Sequence, residues 1–161
     1  MTDVFIGIDP GASGGAAVID DAGTWLGDLA FDGASSTDLL VFLREFQARG
    51  QARAVIERVA SSPQMGVKSA FSFGQSYGAQ AMALVAVGIP FDRVSPRTWQ
   101  PTVGVLYPPK SEQTVKKNIS KRRAQELFPA VKVTHAIADA LLIAEHCRRA
   151  HRGEAASPKE Q

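Results

Sequence analysis

Three acidic residues lie next to apolar segments, where a negative charge is costly. Asp9 and Glu57 each end an apolar run, VFIGID and AVIE, and Asp139 lies inside the apolar segment HAIADALLIA. A buried carboxylate is unfavourable unless it is paired or binds a metal ion, so each residue alone has a plain structural interpretation but the three together indicate a site. Their oxygens suit Mg²⁺ or Mn²⁺, and two such ions about 4 Å apart can activate a water and stabilise the oxygen that leaves a phosphodiester.

A histidine precedes the third of these carboxylates by one helical turn. His135 and Asp139 are four residues apart, so they project from the same face of a helix. The imidazole is either a metal ligand or a base near neutral pH, and otherwise a surface or capping residue at the helix start.

The single cysteine, Cys147, excludes an internal disulfide and a cysteine-based zinc site, and it favours a reducing compartment. We therefore expect a cytoplasmic protein, and the N-terminal stretch lacks the basic segment of a secretory signal.

The elements that must position these residues fit one domain. The chain has 161 residues, 45% hydrophobic and 21% charged, and no apolar run long enough to span a membrane. Apolar runs predict strands over residues 4–9, 16–19, 24–31, 53–57 and 89–94. Helical spacing predicts helices over residues 39–49, 65–87, 114–127 and 135–150, with a short helical segment over 96–103. We expect one domain over residues 1–151 and a flexible tail over 152–161.

The order of these elements indicates an α/β fold. The sequence β-β-β-α-β-α-β-α-α is that of ribonuclease H-like proteins, with a mixed five-stranded sheet flanked by helices. In this order, the first and fourth strands are neighbours in the sheet and the last helix crosses their ends. Asp9, Glu57 and Asp139 are therefore expected to converge. The glycine-rich turn after Asp9 also suits a phosphate cradle of the actin and sugar-kinase ATPases, but those need two such domains.

Six segments in one order carry a resemblance to a known family. They are IGIDPGASGGAAVID, AVIERV, SAFSFGQSYG, VSPRTWQ, SKRRAQELFP and HAIADALLIAEH, and together they cover roughly residues 4–147. The chain resembles the RuvC-like Holliday junction resolvases, especially the compact phage, poxvirus and chloroplast type. The resemblance implies a homodimeric, metal-dependent endonuclease that nicks opposed strands of a four-way DNA junction. It also implies that Asp9, Glu57 and Asp139 are the metal-binding catalytic carboxylates, with two Mg²⁺ ions in each site and Mn²⁺ as a substitute.

Two departures from the family's pattern stand out. Many relatives carry a fourth acidic residue in the turn before the last aspartate, where this chain has apolar Ala136 and Ile137, so His135 is the candidate to replace it. Bacterial members also carry an aromatic residue, soon after the glutamate, that wedges into the junction. Residues 58–62 contain none, which leaves Met65, Phe71 or Phe73 as substitutes, or no wedge at all.

The charges of the chain are unevenly divided. Residues 1–92 carry net −5 and residues 93–161 carry net +7, which indicates a polyanionic partner for the second half. The candidate DNA-binding residues are Lys110, Lys116, Lys117, Lys121, Arg122, Arg123 and Arg97. The alternative for this basic stretch is a solubilising helix face. Trp99, beside Arg97, either contacts DNA or belongs to the core.

Small residues form a stripe on the long helix over 65–87. Ala70, Gly74, Gly78 and Met82 recur every four residues, which lets another backbone approach closely. Packing on the chain's own sheet and dimerisation explain this stripe equally well, and the resemblance favours the dimer, whose two-fold symmetry matches a junction.

Two other functions stay open: a ribonuclease H-like nuclease that acts on other branched DNA or on RNA–DNA hybrids, and a non-catalytic binder of branched DNA.

Overall fold

A computed structural model describes residues 2–154. Within this part of the chain, one sheet contains five strands in the order β3-β2-β1-β4-β5. The strands are β1 Val4–Asp9, β2 Gly15–Asp20, β3 Trp25–Ala30, β4 Ala52–Glu57 and β5 Phe91–Val94. The first three pair antiparallel as a meander, whereas β4 pairs parallel to both β1 and β5. The predicted mixed sheet, with the first and fourth strands adjacent, is confirmed.

Local sequence signals set most of the helix ends. The helices of the described chain are α1 Ser36–Gln47, α2 Val67–Val87, α3 Pro96–Thr102, α4 Gln113–Leu127 and α5 His135–His151. Ser35 caps α1 through a reciprocal pair of hydrogen bonds with Asp38, and Gly88 ends α2 in a left-handed conformation with φ of 76°. Three helices follow β5 where the predicted order had two, because the short segment after Ser95 forms the helix α3.

The helices cover both faces of the sheet. Helices α1 and α2 bury one apolar face, around Ile6, Leu43 and Leu84, and α3, α4 and α5 bury the other, around Phe5, Trp99 and Leu141. The first and fourth strands are consequently apolar on both faces, as expected for the centre of a parallel arrangement.

Helix α5 packs directly on strand β1 because the strand has a glycine there. A Cβ atom added to Gly7 would lie 2.1 Å from the carbonyl oxygen of Ala140, so a larger residue would push the helix away. This close approach brings Asp139, one residue before Ala140, to the carboxyl end of β1. The packing of helix on strand thus positions a carboxylate.

The last helix ends at His151 and is followed by a short turn. Residues 152–154 form a turn in which the guanidinium of Arg152 donates to the Asp21 carbonyl, while the predicted flexible residues 155–161 lie outside the described part of the chain. Across residues 2–154, the helices are all too short or too polar to cross a bilayer.

Candidate active site

The three carboxylates singled out in the sequence line one cavity of about 800 Å³. Asp9 comes from the end of β1, Glu57 from the end of β4 and Asp139 from the first turns of α5. Because β1 and β4 are parallel neighbours, their carboxyl ends meet at one edge of the sheet, and α5 crosses this edge. The fold therefore brings Asp9, Glu57 and Asp139 to the lining of one cavity.

The turn after Asp9 folds back over that residue. A Cβ atom added to Gly14 would lie 2.1 Å from the backbone oxygen of Asp9, so this position accepts glycine alone. The ring of Phe73, on α2, lies against Gly11 in the same turn. The glycine-rich segment therefore forms one wall of the cavity and holds Asp9 at its base.

The environment disfavours the charged form of the carboxylates. Burial, together with the neighbouring charges of Asp139 and Glu57, raises the pKa of Asp9 to about 8, and the ammonium of Lys117 opposes this increase. Burial raises the pKa of Glu57 to about 7, opposed by a hydrogen bond from Trp99 and increased by the charge of Asp139. Strongly shifted carboxylates that repel one another in a cavity are typical of functional sites.

Asp139 has a mixed environment. Burial raises its pKa, while the Ser120 hydroxyl beside it and the charges of Lys117 and His135 oppose the increase. Among the described residues, its buried Oδ1 has no hydrogen-bond partner. A buried oxygen of this kind is costly unless a ligand completes its coordination.

The donor set suits a hard divalent cation. Carboxylate oxygens are the ligands that Mg²⁺ and Mn²⁺ prefer, and the unpartnered Oδ1 of Asp139 offers one directly. Within residues 2–154, no three His, Cys, Asp or Glu side chains already converge closely enough to hold one ion. The residues therefore fit the cation by the chemistry of their oxygen donors.

His135 and Lys117 also line the cavity, whereas Trp99 does not. His135 is the first residue of α5 and is exposed to solvent. Trp99 is fully buried, and its Nε1–H donates a 2.7 Å hydrogen bond to Oε2 of Glu57. Of the two interpretations that the sequence left open for Trp99, burial selects the core.

Several polar residues that line the cavity were missed in the sequence, among them Asp32, Gln113 and Ser120. Asp32 lines the cavity, and the Ser120 hydroxyl lies beside Asp139 and 2.8 Å from the hydroxyl of Tyr107. Ser120 follows Lys117 by three residues, so both lie on the side of α4 that faces the cavity. In the sequence, only the spacing of Ser120 and Lys117 indicates that the two residues share a side of α4. That spacing does not show which side of α4 faces the cavity.

Solved structures with a similar fold were found by comparison. The structure of T. thermophilus RuvC in complex with Holliday junction substrate matches with a TM-score of 0.64 and 19% identity, covering 96% of this chain and 99% of that chain. A second Thermus thermophilus RuvC structure matches with a TM-score of 0.63 and 17% identity, over the same shares. The chain has the RuvC fold. No family model and no curated protein matches the sequence.

The basic residues are distributed unequally over this RuvC fold. Lys117 lines the carboxylate cavity, Lys121 and Arg122 line a separate depression of about 430 Å³ on α4, and Lys116 lies 5.8 Å from the centre of the Tyr107 ring. Arg123 has a structural contact instead, because its Nε donates a 2.7 Å hydrogen bond to the Val103 carbonyl. Lys110 and Arg97 are exposed, on the loop before α4 and on α3.

Proposed function

We propose that this chain is a metal-dependent endonuclease that resolves four-way DNA junctions by paired symmetric nicks. The observation that carries the proposal is the cavity in which Asp9, Glu57 and Asp139 converge with one buried oxygen unpartnered among the described residues. The RuvC fold supports the choice of substrate, since a protein of this fold has been solved in complex with Holliday junction substrate.

Asp9, Glu57 and Asp139 would hold two Mg²⁺ ions, with His135 as a further ligand or as the group that orients the attacking water. When bound, Mg²⁺ or Mn²⁺ supplies the Lewis acidity that activates water and neutralises charge on the scissile phosphate. The ammonium of Lys117 favours the ionised forms of Asp9 and Asp139, which metal binding needs. The Ser120 hydroxyl, beside Asp139 on the side of α4, also favours the ionised form of that carboxylate.

The basic residues of α4 and the preceding loop would bind the DNA backbone. We assign phosphate contacts to Lys110, Lys116, Lys117, Lys121, Arg122 and Arg97, and we give Arg123 a supporting role because it is bonded to Val103. Lys117 lies in the cavity itself, so the phosphate nearest to it would be at the carboxylates. Specificity would come from the shape of the junction and not from base sequence alone.

A homodimer would form through helix α2. Its exposed surface carries large apolar side chains, Val67 at 88%, Phe71 at 69%, Met82 at 59% and Val85 at 56% exposure. They lie in one stripe with Gly74 and Gly78, at both of which an added Cβ would meet no described atom within 4 Å. This open, apolar stripe leaves room for a second helix, and a two-fold dimer would match the two opposed strands of a junction.

Other functions receive less support. A ribonuclease H-like nuclease that acts on other branched DNA or on RNA–DNA hybrids would use the same carboxylates, so only substrate comparison separates it. A non-catalytic binder gains nothing from three acidic residues beside a phosphate.

Cys147 is a free, buried thiol, which fits the cytoplasm that we propose as the location.

The test is a nicking assay on a labelled synthetic four-way junction. The purified protein is incubated with the junction in Mg²⁺, in Mn²⁺ and in EDTA, beside linear duplex and an RNA–DNA hybrid. We expect paired symmetric nicks on the junction alone, lost in EDTA. Cleavage of the hybrid instead would overturn the substrate, and binding without nicks would favour the structural binder.

The matched variant for this assay is Asp9→Asn. It keeps the size of the side chain and removes the charge that a cation needs, so nicking should be abolished while junction binding remains. Nicking at a near-normal rate by this variant would remove Asp9 from the mechanism.

A further inference from the structure

Helix α3 contacts the carboxylate site from inside the protein. Trp99 is fully buried, and its indole N–H donates to Oε2 of Glu57 at 2.7 Å, across 42 residues of sequence. A buried indole N–H requires an acceptor, and here the acceptor is a carboxylate that lines the cavity. When Glu57 is ionised, this hydrogen bond is of the stronger, charge-assisted kind.

The C-terminal end of α3 is bonded to α5, the helix that carries Asp139. The Thr102 hydroxyl donates to the Trp99 carbonyl at 2.7 Å and lies 2.7 Å from Nδ1 of His146. Nη1 of Arg149 donates to the Thr102 carbonyl at 2.7 Å. Because His146 and Arg149 both belong to α5, α3 links Glu57, through Trp99 in its middle, to the helix of Asp139, through Thr102 at its end.

We propose that Trp99 is a positioning residue for the metal site: it holds one oxygen of Glu57 and leaves the other, Oε1, for a cation in the cavity. It acts through Glu57 and touches neither DNA nor the cation. This inference rests on the proposed function, because it gives Glu57 the role of a ligand. Partners that orient a ligand in this way typically contribute about 10- to 100-fold to metal affinity or activity.

The test is a double-mutant cycle in Mn²⁺ affinity, measured by titration with electron paramagnetic resonance. Trp99→Phe removes the N–H but keeps an aromatic ring in the core, and we expect about 10- to 100-fold weaker binding of Mn²⁺. In a Glu57→Ala background, the same substitution should have little effect, since the side-chain oxygen that Trp99 holds is gone. A role in packing alone predicts equal losses in both backgrounds and would overturn the inference.

The second tryptophan provides the matched control. Nε1 of Trp25 donates to Asp28 on strand β3, away from the cavity, so Trp25→Phe should leave Mn²⁺ affinity unchanged. The wild-type protein also allows a test without any loss of packing, through the ¹⁵N indole signals of its two tryptophans. Addition of Mg²⁺ should shift the Trp99 signal and not the Trp25 signal. A Trp99 signal that does not respond to Mg²⁺ at saturation contradicts the inference.

The outcomes separate this inference from the proposed function. If the wild-type protein nicks junctions and Trp99→Phe binds Mn²⁺ normally, the inference alone fails. If the wild-type protein nicks no junction but the cycle and the indole shift appear as expected, the positioning role stands and the proposed substrate fails.

Discussion

Asp9 and Glu57 end neighbouring parallel strands, and the pairing of Ile8 with Ile56 places the two carboxylates side by side at one edge of the sheet. Burial and the charges of Asp139 and Glu57 raise the pKa of Asp9 to about 8. An arrangement of like charges in a partly buried cavity opposes folding of the metal-free protein. A cation bound at the site would remove this free-energy cost by neutralising the carboxylates.

The stability of the metal-free protein should depend on the ionisation of Asp9. With a folded pKa near 8 against an ordinary value of 3.8, the folded protein keeps a proton that the unfolded chain releases. The contribution of Asp9 to stability is therefore lost as the pH rises from about 4 to 8. Relative to wild type, Asp9→Asn should gain at least about 1 kcal/mol at pH 8.5, or about 2–4 °C in Tm, and much less at pH 5.

Thermal unfolding in EDTA at the two pH values measures this difference. Added Mg²⁺ should stabilise wild type at pH 8.5 and have a smaller effect on Asp9→Asn, because the variant has lost a ligand. An equal gain from the substitution at both pH values would mean that Asp9 is ionised in the folded protein throughout this range.

Lys117 should set the pH range in which the proposed nicking occurs. Its charge lowers the pKa of Asp9 and Asp139, so Lys117→Gln should move the acidic limb of the rate–pH profile to higher pH. Each unit of displacement reduces the rate at a pH below the limb about tenfold. Lys121→Gln is the control: it removes the same charge from α4 outside the carboxylate cavity and should leave the limb in place. Identical profiles for wild type and Lys117→Gln would contradict the assignment.

The basic surface of α4 should determine how steeply junction binding depends on salt. Each phosphate contact contributes a slope of about −0.9 to the plot of log K against log salt concentration. The combined substitution of Lys116, Lys121 and Arg122 by Gln should therefore reduce the slope by about 3 and weaken binding. Filter binding or anisotropy over a range of salt concentrations measures both quantities.

Arg49 provides a control for the salt experiment, because it lies just after α1, on the opposite face of the sheet from α4. It forms an ion pair with Glu45, so Arg49→Gln should leave the slope unchanged. If the triple variant also kept the wild-type slope, the α4 residues would be a solubilising surface, as the alternative interpretation of the sequence holds.

Glycines of α2 should distinguish a monomer from a dimer. Gly74→Ala and Gly78→Ala place a methyl group in open space and improve helix propensity by about 1 kcal/mol each, so they should stabilise an isolated chain. If a second helix packs there, the same methyl groups should raise the dissociation constant of the dimer instead. Sedimentation of wild type and the double variant over a concentration series decides this, and a monomeric wild type at high concentration would rule out the dimer.

Much of the fold follows from local sequence patterns. Apolar runs locate the five strands of the described chain to within about two residues, and Ser35 and Gly88 mark helix ends that the structure retains. The predicted fifth strand began too early. Ile89 instead bonds back to the Leu84 carbonyl at the end of α2, and pairing starts at Phe91. Such boundaries depend on individual hydrogen bonds and shift by one or two residues, so local composition locates an element better than its ends.

The sequence by itself also determined which carboxylates belong together, because acidic residues in apolar segments are costly and the order of the strands brings their ends to one edge. Only the tertiary structure decided which partners they have. Trp99 reaches Glu57, Ser120 lies beside Asp139, and Arg123 is bonded to Val103 and so differs from Lys117 on the same helix. The reason is that these contacts depend on how α3 and α4 pack on the sheet and on α5, and that packing joins residues far apart in the chain.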